Sequence, residues 1–317
     1  MRKIAIAPML DWTDRHYRYF MRQITHETEL YTEMVVADAI IHGNLERLLG
    51  FSVEEKPVVV QLGGCDPLKL SKASKMCEQY GYSAINLNVG CPSDRVKSGN
   101  FGACLMQDAN LVADCIKAMQ DSVSIPITIK HRTGIDYEDS YEYMRDFVAG
   151  IAKTGCNDFI IHARNAVLQG LSPRENRKIP PLKYNYVYKL KKEMPHLNIM
   201  INGGIKTLSS INEHLGHVDG VMLGREAYYN PFLFADFDVL FFDYKANPRS
   251  RQQIAESMIT YLEQMHSLNI PLHRVTRHMI GLYYGCPNAR LWRYTLTQEI
   301  IKTNSVATYT DLISNLK

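Results

Sequence analysis

At 317 residues the chain is long enough for one large domain or two unequal ones. Apolar residues make up 46% and charged residues 22%, which excludes a mainly disordered chain, and no apolar run approaches the ~20 residues of a membrane span. A net charge of +3 does not announce nucleic acid, so such a partner has to be argued from local clusters.

The N-terminal MRKIAIAPML enters an apolar segment at once and lacks the h-region and cleavage site of a signal peptide, so it reads as a first strand with no extension before it. Further apolar runs follow as LYTEMVV (30–36), PVVVQLGG (57–64), AINLNVG (84–90), IPITIKH (125–131), FIIHAR (159–164), LNIMING (197–203) and GVMLGR (220–225). With IAIAPM (4–9) they make eight candidate strands. Between them, LKLSKASKMCEQYG, ANLVADCIKAMQDS and YEYMRDFVAGIAKTG carry apolar residues at helical spacing, the last stopping on Gly155. This alternation predicts an α/β fold, a (β/α)8 TIM barrel, over residues 1–244. A doubly wound sheet would carry a GxGxxG loop after the first strand, and none is present.

From about residue 245 the pattern changes. KANPRSRQQ reads as a linker, and QQIAESMITYLEQMHSL, HRVTRHMIGLYYG and ARLWRYTLTQEIIKT read as helices, predicting a C-terminal all-helical domain over 245–317. The cysteines number seven, an odd count with no CxxC pair and no zinc-like spacing. Reduced thiols in a cytoplasmic protein are the simplest reading, and no metal site is expected.

In a barrel, function gathers at the C-terminal ends of the strands. Parallel strands buried on both faces should be apolar throughout, yet Gln61, Asn88, Lys130, His162, Asn202 and Arg225 sit late in their runs. Any one could be a satisfied buried polar group; together they predict one shared mouth. Gln61 and Asn88 suit the edge of a heterocycle, Lys130 a developing anion on a ring, and His162 a donor bracing the ring or a substrate. NGGIKT (202–207) and GREA (224–227) lie where this architecture usually holds phosphate. A phosphorylated, ring-bearing cofactor follows, and FMN fits both halves. NLNVGCPS puts Cys91 on a shaped loop just past the fourth run. A thiol there could be nucleophile, metal ligand or acid, and opposite a flavin an acid that protonates carbon makes chemical sense.

The segments APMLDWTDRHYRYF, LYTEMV, NLNVGCPSDRV, GNFGACLM, IKHRTGID, HARNAVLQGLSPRENRKIPPL and INGGI together resemble the tRNA-dihydrouridine synthases. The resemblance spans essentially the whole chain and is greatest to the A-type bacterial subfamily, which acts on uridines 20 and 20a of the tRNA D-loop. It implies an FMN-binding barrel followed by a helical tRNA-binding domain, with NADPH reducing the flavin and no obligate protein partner, monomer being the default. Hydride would pass from flavin N5 to C6 of a flipped-out uracil, and Cys91 matches the family's proton donor to C5. Pro8, Met9 and Leu10 match the first flavin-contacting segment. Gln61, Lys130 and His162 match ring and ribityl contacts, and Asn202, Gly203, Gly204, Gly224 and Arg225 match phosphate-side contacts. Asn88 matches a position near the target uridine.

Candidate tRNA contacts are Arg174, Arg177 and Lys178 after the sixth strand, and Arg274, Arg277, Arg290 and Arg293 in the tail. ARLWR, with Arg290 and Arg293, matches an arginine pair of the A-type tail; charges at i, i+3 on a helix are otherwise an ordinary solvated face. Val167 stands where the family commonly has an aromatic, and Cys286 where it usually has another residue. A flavin oxidoreductase acting on a small pyrimidine, or a non-catalytic RNA-binding barrel, would use much of the same scaffold. The first leaves the arginines of the tail without a task, and the second leaves Cys91, Lys130 and His162 without one.

Overall fold

The computed structural model describes residues 3–245 and 247–316, so Ala246 of the expected linker lies outside the described residues. Eight parallel strands close into a barrel: β1 (Lys3–Ile6), β2 (Glu29–Val36), β3 (Val58–Gly63), β4 (Ala84–Val89), β5 (Ile127–Arg132), β6 (Asp158–His162), β7 (Asn198–Asn202) and β8 (Gly220–Leu223). Pairing of β1 with both β2 and β8 removes any free edge. Each of the eight apolar runs coincides with one strand; β1, β2 and β6 begin one residue before their runs and β5 ends one residue after its own, while several runs continue into the loops that follow.

Side chains of a strand alternate between its faces. Here one parity meets in the barrel interior, where Ala5, Ala7, Tyr31, Val59, Ile160, Met200 and Met222 form one buried cluster. The other parity supplies residues such as Ile4, Val60, Leu87, Ile129, Ile161, Ile201 and Val221, all buried. Both faces are therefore covered, which is why the strands read as continuous apolar runs. In three strands the interior parity turns polar one step further along, from Val59 to Gln61, Ile160 to His162 and Met200 to Asn202.

The helices between strands start on side-chain caps. Asp66 accepts from Leu68 N and Lys69 N to open helix Pro67–Gln79, with Pro67 in the first turn. Asp108 caps Ala109–Gln120 and Ser140 caps Tyr141–Ala152. The last of these stops short of Gly155, which takes the left-handed conformation.

Two compact units emerge: residues 1–9, 29–51 and 56–224, and residues 10–28, 52–55 and 225–317. Residues 10–28 and 225–244, which the sequence reading counts with the barrel, group with the tail. The reason is a set of contacts remote in sequence. Asp14 caps helix Arg15–Arg22 and also pairs with Arg277 at 2.9 Å and His278 at 3.1 Å, while Tyr17 Oη donates to Ala227 O at 3.1 Å. Arg18 forms a buried ion pair with Glu55 at 2.8 Å.

The second unit has its own core around fully buried Trp292, whose Nε1 donates to Met279 O at 2.8 Å. The expected tail helices are more broken than their periodicity suggests. Residues 252–268 divide at Met258 into Arg251–Ser257 and Ile259–Ser267, and a π-helical turn, Thr295–Glu299, separates Ala289–Tyr294 from Ile300–Thr303. No helix among the described residues is long and apolar enough to cross a membrane.

Candidate functional site

The first unit holds the cysteine loop. β4 ends at Val89, and the loop then turns under one side chain: Asn88 Oδ1 accepts from Gly90 N at 3.1 Å and Cys91 N at 3.0 Å. Cys91 O accepts from Ala103 N at 2.9 Å. Gly102 lies at φ +66, and a Cβ there would come within 2.7 Å of Cys91 O, so glycine is what lets the chain return against the loop. Cys91 remains partly exposed, with Sγ 3.5 Å from Ser93 Oγ.

Asn88 is itself fixed from below. Its Nδ2 donates to Gln61 Oε1 at 2.8 Å, Gln61 Nε2 donates to Asn86 Oδ1 at 2.8 Å, and Asn86 Nδ2 donates to Thr128 Oγ1 at 2.8 Å. Each group donates to the next in one direction, from the cysteine loop down into the barrel interior. Such chains polarise cooperatively and set every amide's orientation. Asn86 and Thr128 escaped the sequence reading, although period-two alternation puts them on the faces of Asn88 and Lys130.

Lys130 lies beside Asn88 in the β4–β5 register, and its Nζ donates to Asn202 Oδ1 at 3.2 Å. Asn202 Nδ2 donates to Met222 O at 2.7 Å, which turns its oxygen toward the ammonium. Lys130 still touches solvent, but its depth among protein atoms pushes its pKa down to about 7, helped by Arg132 and opposed by Cys91. His162 neighbours Asn202 across β6 and β7. Desolvation, with the charges of Arg132, Lys130, Arg164 and Arg177, holds its pKa well below the ordinary 6.5, so the imidazole is neutral at pH 7. Gly203, at φ +121, leaves room for that ring; a Cβ would fall 2.8 Å from His162 Cδ2. Gly204 also has positive φ, and Tyr184 Oη donates to Gly203 O at 2.6 Å.

Arg132, also missed from sequence, is almost fully buried. Its Nε donates to Gly90 O at 2.8 Å, and its Nη1 to Asn165 O at 2.9 Å and Asn176 O at 3.0 Å. It thus ties the cysteine loop to the segment after β6. That segment exposes Arg174, Arg177 and Lys178 around the 3-10 turn Glu175–Arg177. Asn176 is buried there, clamped on the main chain of Val167 at 2.8 Å in both directions.

Gln61, Asn88, Cys91, Lys130, His162 and Asn202 are therefore gathered at the C-terminal ends of β3 to β7. Pro8 and Met9 follow β1, and Gly224 follows β8, in the same unit. Leu10 and Arg225 belong to the second unit: Leu10 is 68% exposed, and Arg225 opens helix Arg225–Tyr229 rather than ending a strand. Arg290 and Arg293 are exposed on helix Ala289–Tyr294 and line an open depression with Cys286 and Tyr294. Arg277 is instead engaged by Asp14. The polar set of the mouth, three amides, a lysine amine and a neutral imidazole beside a glycine pair, fits a polar heterocycle bearing an anionic group.

The model of the dihydrouridine synthase family matches residues 5–316. The chain is 54% identical over 298 residues to the tRNA-dihydrouridine(20/20a) synthase of Synechocystis sp., covering 94% of this chain and 89% of that protein. The proteins of the same name from Salmonella typhimurium and Shewanella oneidensis are 53% and 49% identical, covering 96% and 99% of this chain and 91% and 96% of theirs.

Proposed function

Because the chain belongs to the dihydrouridine synthase family, we propose that it reduces uridine to 5,6-dihydrouridine in tRNA, at positions 20 and 20a of the D-loop. The observation that carries this reading is the arrangement around Cys91: a partly exposed thiol on a loop whose main chain is held by Asn88 and Arg132, with Lys130 interacting with it.

FMN is the cofactor we assign to the mouth, with Pro8, Met9, Gln61, Lys130 and His162 toward its ring and ribityl chain. Asn202, Gly203, Gly204 and Gly224 would lie toward its phosphate. When bound and reduced by NADPH, the flavin supplies the hydride that adds to C6 of the uracil.

The chain's own residues then have distinct tasks. Addition at C6 leaves negative charge on C5 and the C4 carbonyl, and an acid must quench it. Cys91 Sγ gives its proton to C5. Lys130 and Arg132 both interact electrostatically with Cys91. Asn88 holds the loop that carries the thiol and stands close to the base. A stacked uridine is unreachable, so the base must leave its stack, and phosphate contacts must hold the RNA while it does. Arg174, Arg177 and Lys178 of the first unit, and Arg290 and Arg293 of the helical second unit, are the contacts we assign.

The test is dihydrouridine formation, read by nucleoside mass spectrometry, from purified protein, FMN, NADPH and tRNA lacking D-loop modification. Product mapped to positions 20 and 20a is expected. A flavin-loaded protein that forms none on several tRNAs would overturn the assignment.

A further inference from the structure

At the C-terminal end of β5 the chain makes a two-residue hairpin that no role has yet claimed. Ile135 and Glu138 exchange both main-chain hydrogen bonds, at 3.0 and 2.9 Å, leaving Asp136 and Tyr137 at the tip. Asp136 takes φ +50, a left-handed conformation that costs a non-glycine residue energy and persists only where its surroundings enforce it. Four contacts enforce it here. Asp136 N donates to Ala166 O at 2.7 Å, Asn165 Nδ2 donates to Asp136 O at 2.7 Å, Leu168 N donates to Asp136 Oδ1 at 2.7 Å, and Ala166 N donates to Gly134 O at 3.0 Å. Gly134 admits no side chain, since a Cβ would meet Glu138 O at 2.1 Å. Asp139 is tied to Lys183 at 2.6 Å.

This rigid tip presents Tyr137 at 103% exposure, its side chain making no hydrogen bond or ring contact to any described residue. A tyrosine held out on a stapled turn gives the fold no burial and no side-chain bond. The same staple carries positive charge beside it. Val167, next to Ala166, is clamped by Asn176, whose neighbours Arg174, Arg177 and Lys178 are exposed. Of the acids close by, Asp136 is held by Leu168 N, Asp139 by Lys183 and Glu175 by Ser172, while Glu138 is exposed beside the ring and offsets one of the three cations. An exposed, preorganised aromatic next to cations is the combination that binds single-stranded nucleic acid, the ring stacking on a base while the cations meet phosphates.

We infer that Tyr137 is a stacking platform for an unpaired tRNA nucleobase adjacent to the reacting uridine. The inference rests on the tRNA reading above and adds a contact to the base plane rather than to the backbone.

The experiment measures affinity for an unmodified tRNA transcript across a salt series, with the flavin-loaded wild-type protein and Tyr137→Phe, Tyr137→Leu and Tyr137→Ala. Phe should bind within about twofold of wild type, and Ala should bind weaker by roughly five- to hundredfold, the span of a missing base–aromatic stack. Because no phosphate contact is removed, the loss should be the same factor at every salt concentration, leaving the slope of log affinity against log salt unchanged. Full recovery by Leu, or wild-type affinity in the Ala variant, would overturn the platform while leaving the tRNA reading in place. A wild-type protein that does not bind tRNA overturns both. The thermal midpoints of all four proteins should coincide, since the ring is buried against nothing.

Discussion

Asn88 Oδ1 accepts the main-chain N–H of Cys91 at 3.0 Å, so the loop bearing the proposed acid hangs from a side chain of the strand before it. That side chain is oriented by Gln61, Asn86 and Thr128 in turn. Asn86→Leu would leave Gln61 Nε2 without its acceptor and Thr128 Oγ1 without the amide donor in a buried setting, at a cost of about 1–3 kcal/mol in stability. If the chain of amides sets the loop, turnover should fall while tRNA affinity stays put, and alkylation of Cys91 should change rate. An unchanged alkylation rate together with unchanged turnover would make Asn86 a packing residue only.

Cys91→Ala should retain yellow flavin and tRNA binding yet form little dihydrouridine, because only the proton to C5 is withdrawn. Flavin absorbance, a tRNA binding isotherm and nucleoside mass spectrometry on one preparation separate the three properties. Normal product yield would remove Cys91 as the acid.

Lys130 offers a pH signature. Its pKa is lowered from 10.5 to about 7, so between those values the folded site is neutral while the unfolded chain carries the proton. The fold therefore loses stability as pH drops from 10.5 to about 7, and the loss is constant below that. In flavin-free protein, competitive acylation should show Lys130 reaching half its full reactivity near pH 7, with surface lysines far behind. Lys130→Met should raise the thermal midpoint more at pH 6 than at pH 10. Half-reactivity near pH 10 would contradict the depth of the site.

Arg290→Ala with Arg293→Ala should weaken tRNA binding and flatten its salt dependence, by roughly one unit of slope for each phosphate that is no longer neutralised. NADPH oxidation by the flavin should not change, since both residues belong to the helical unit. Unchanged tRNA affinity at moderate salt would sink the tail assignment.

What the sequence discloses here follows from burial. The strands are legible because both faces of each are covered, leaving no polar parity to blur the apolar runs. Gln61, Lys130, His162 and Asn202 are legible as interruptions at the strand ends. Asn86 and Thr128 sit one step deeper, where a polar residue looks like noise unless its parity is followed. The grouping of residues 10–28 with the tail rests on the Asp14–Arg277 pair, separated by 263 positions, and no local pattern encodes a partner that far away. The split of 252–268 at Met258 and the π turn after Tyr294 are also beyond periodicity, since a local change of winding leaves the apolar spacing nearly intact.

Arg132 meets Gly90, Asn165 and Asn176 through main-chain oxygens only. An ion pair links two side chains and shows itself in paired substitutions: change one charge and the other must follow. A guanidinium held by three carbonyls leaves no such trace. The backbone offers the same acceptor whatever residue occupies those positions, so the arginine imposes no charge on their side chains. The bond between the cysteine loop and the segment after β6 would then pass unseen through any search for coordinated change, and would surface only when Arg132 itself is replaced.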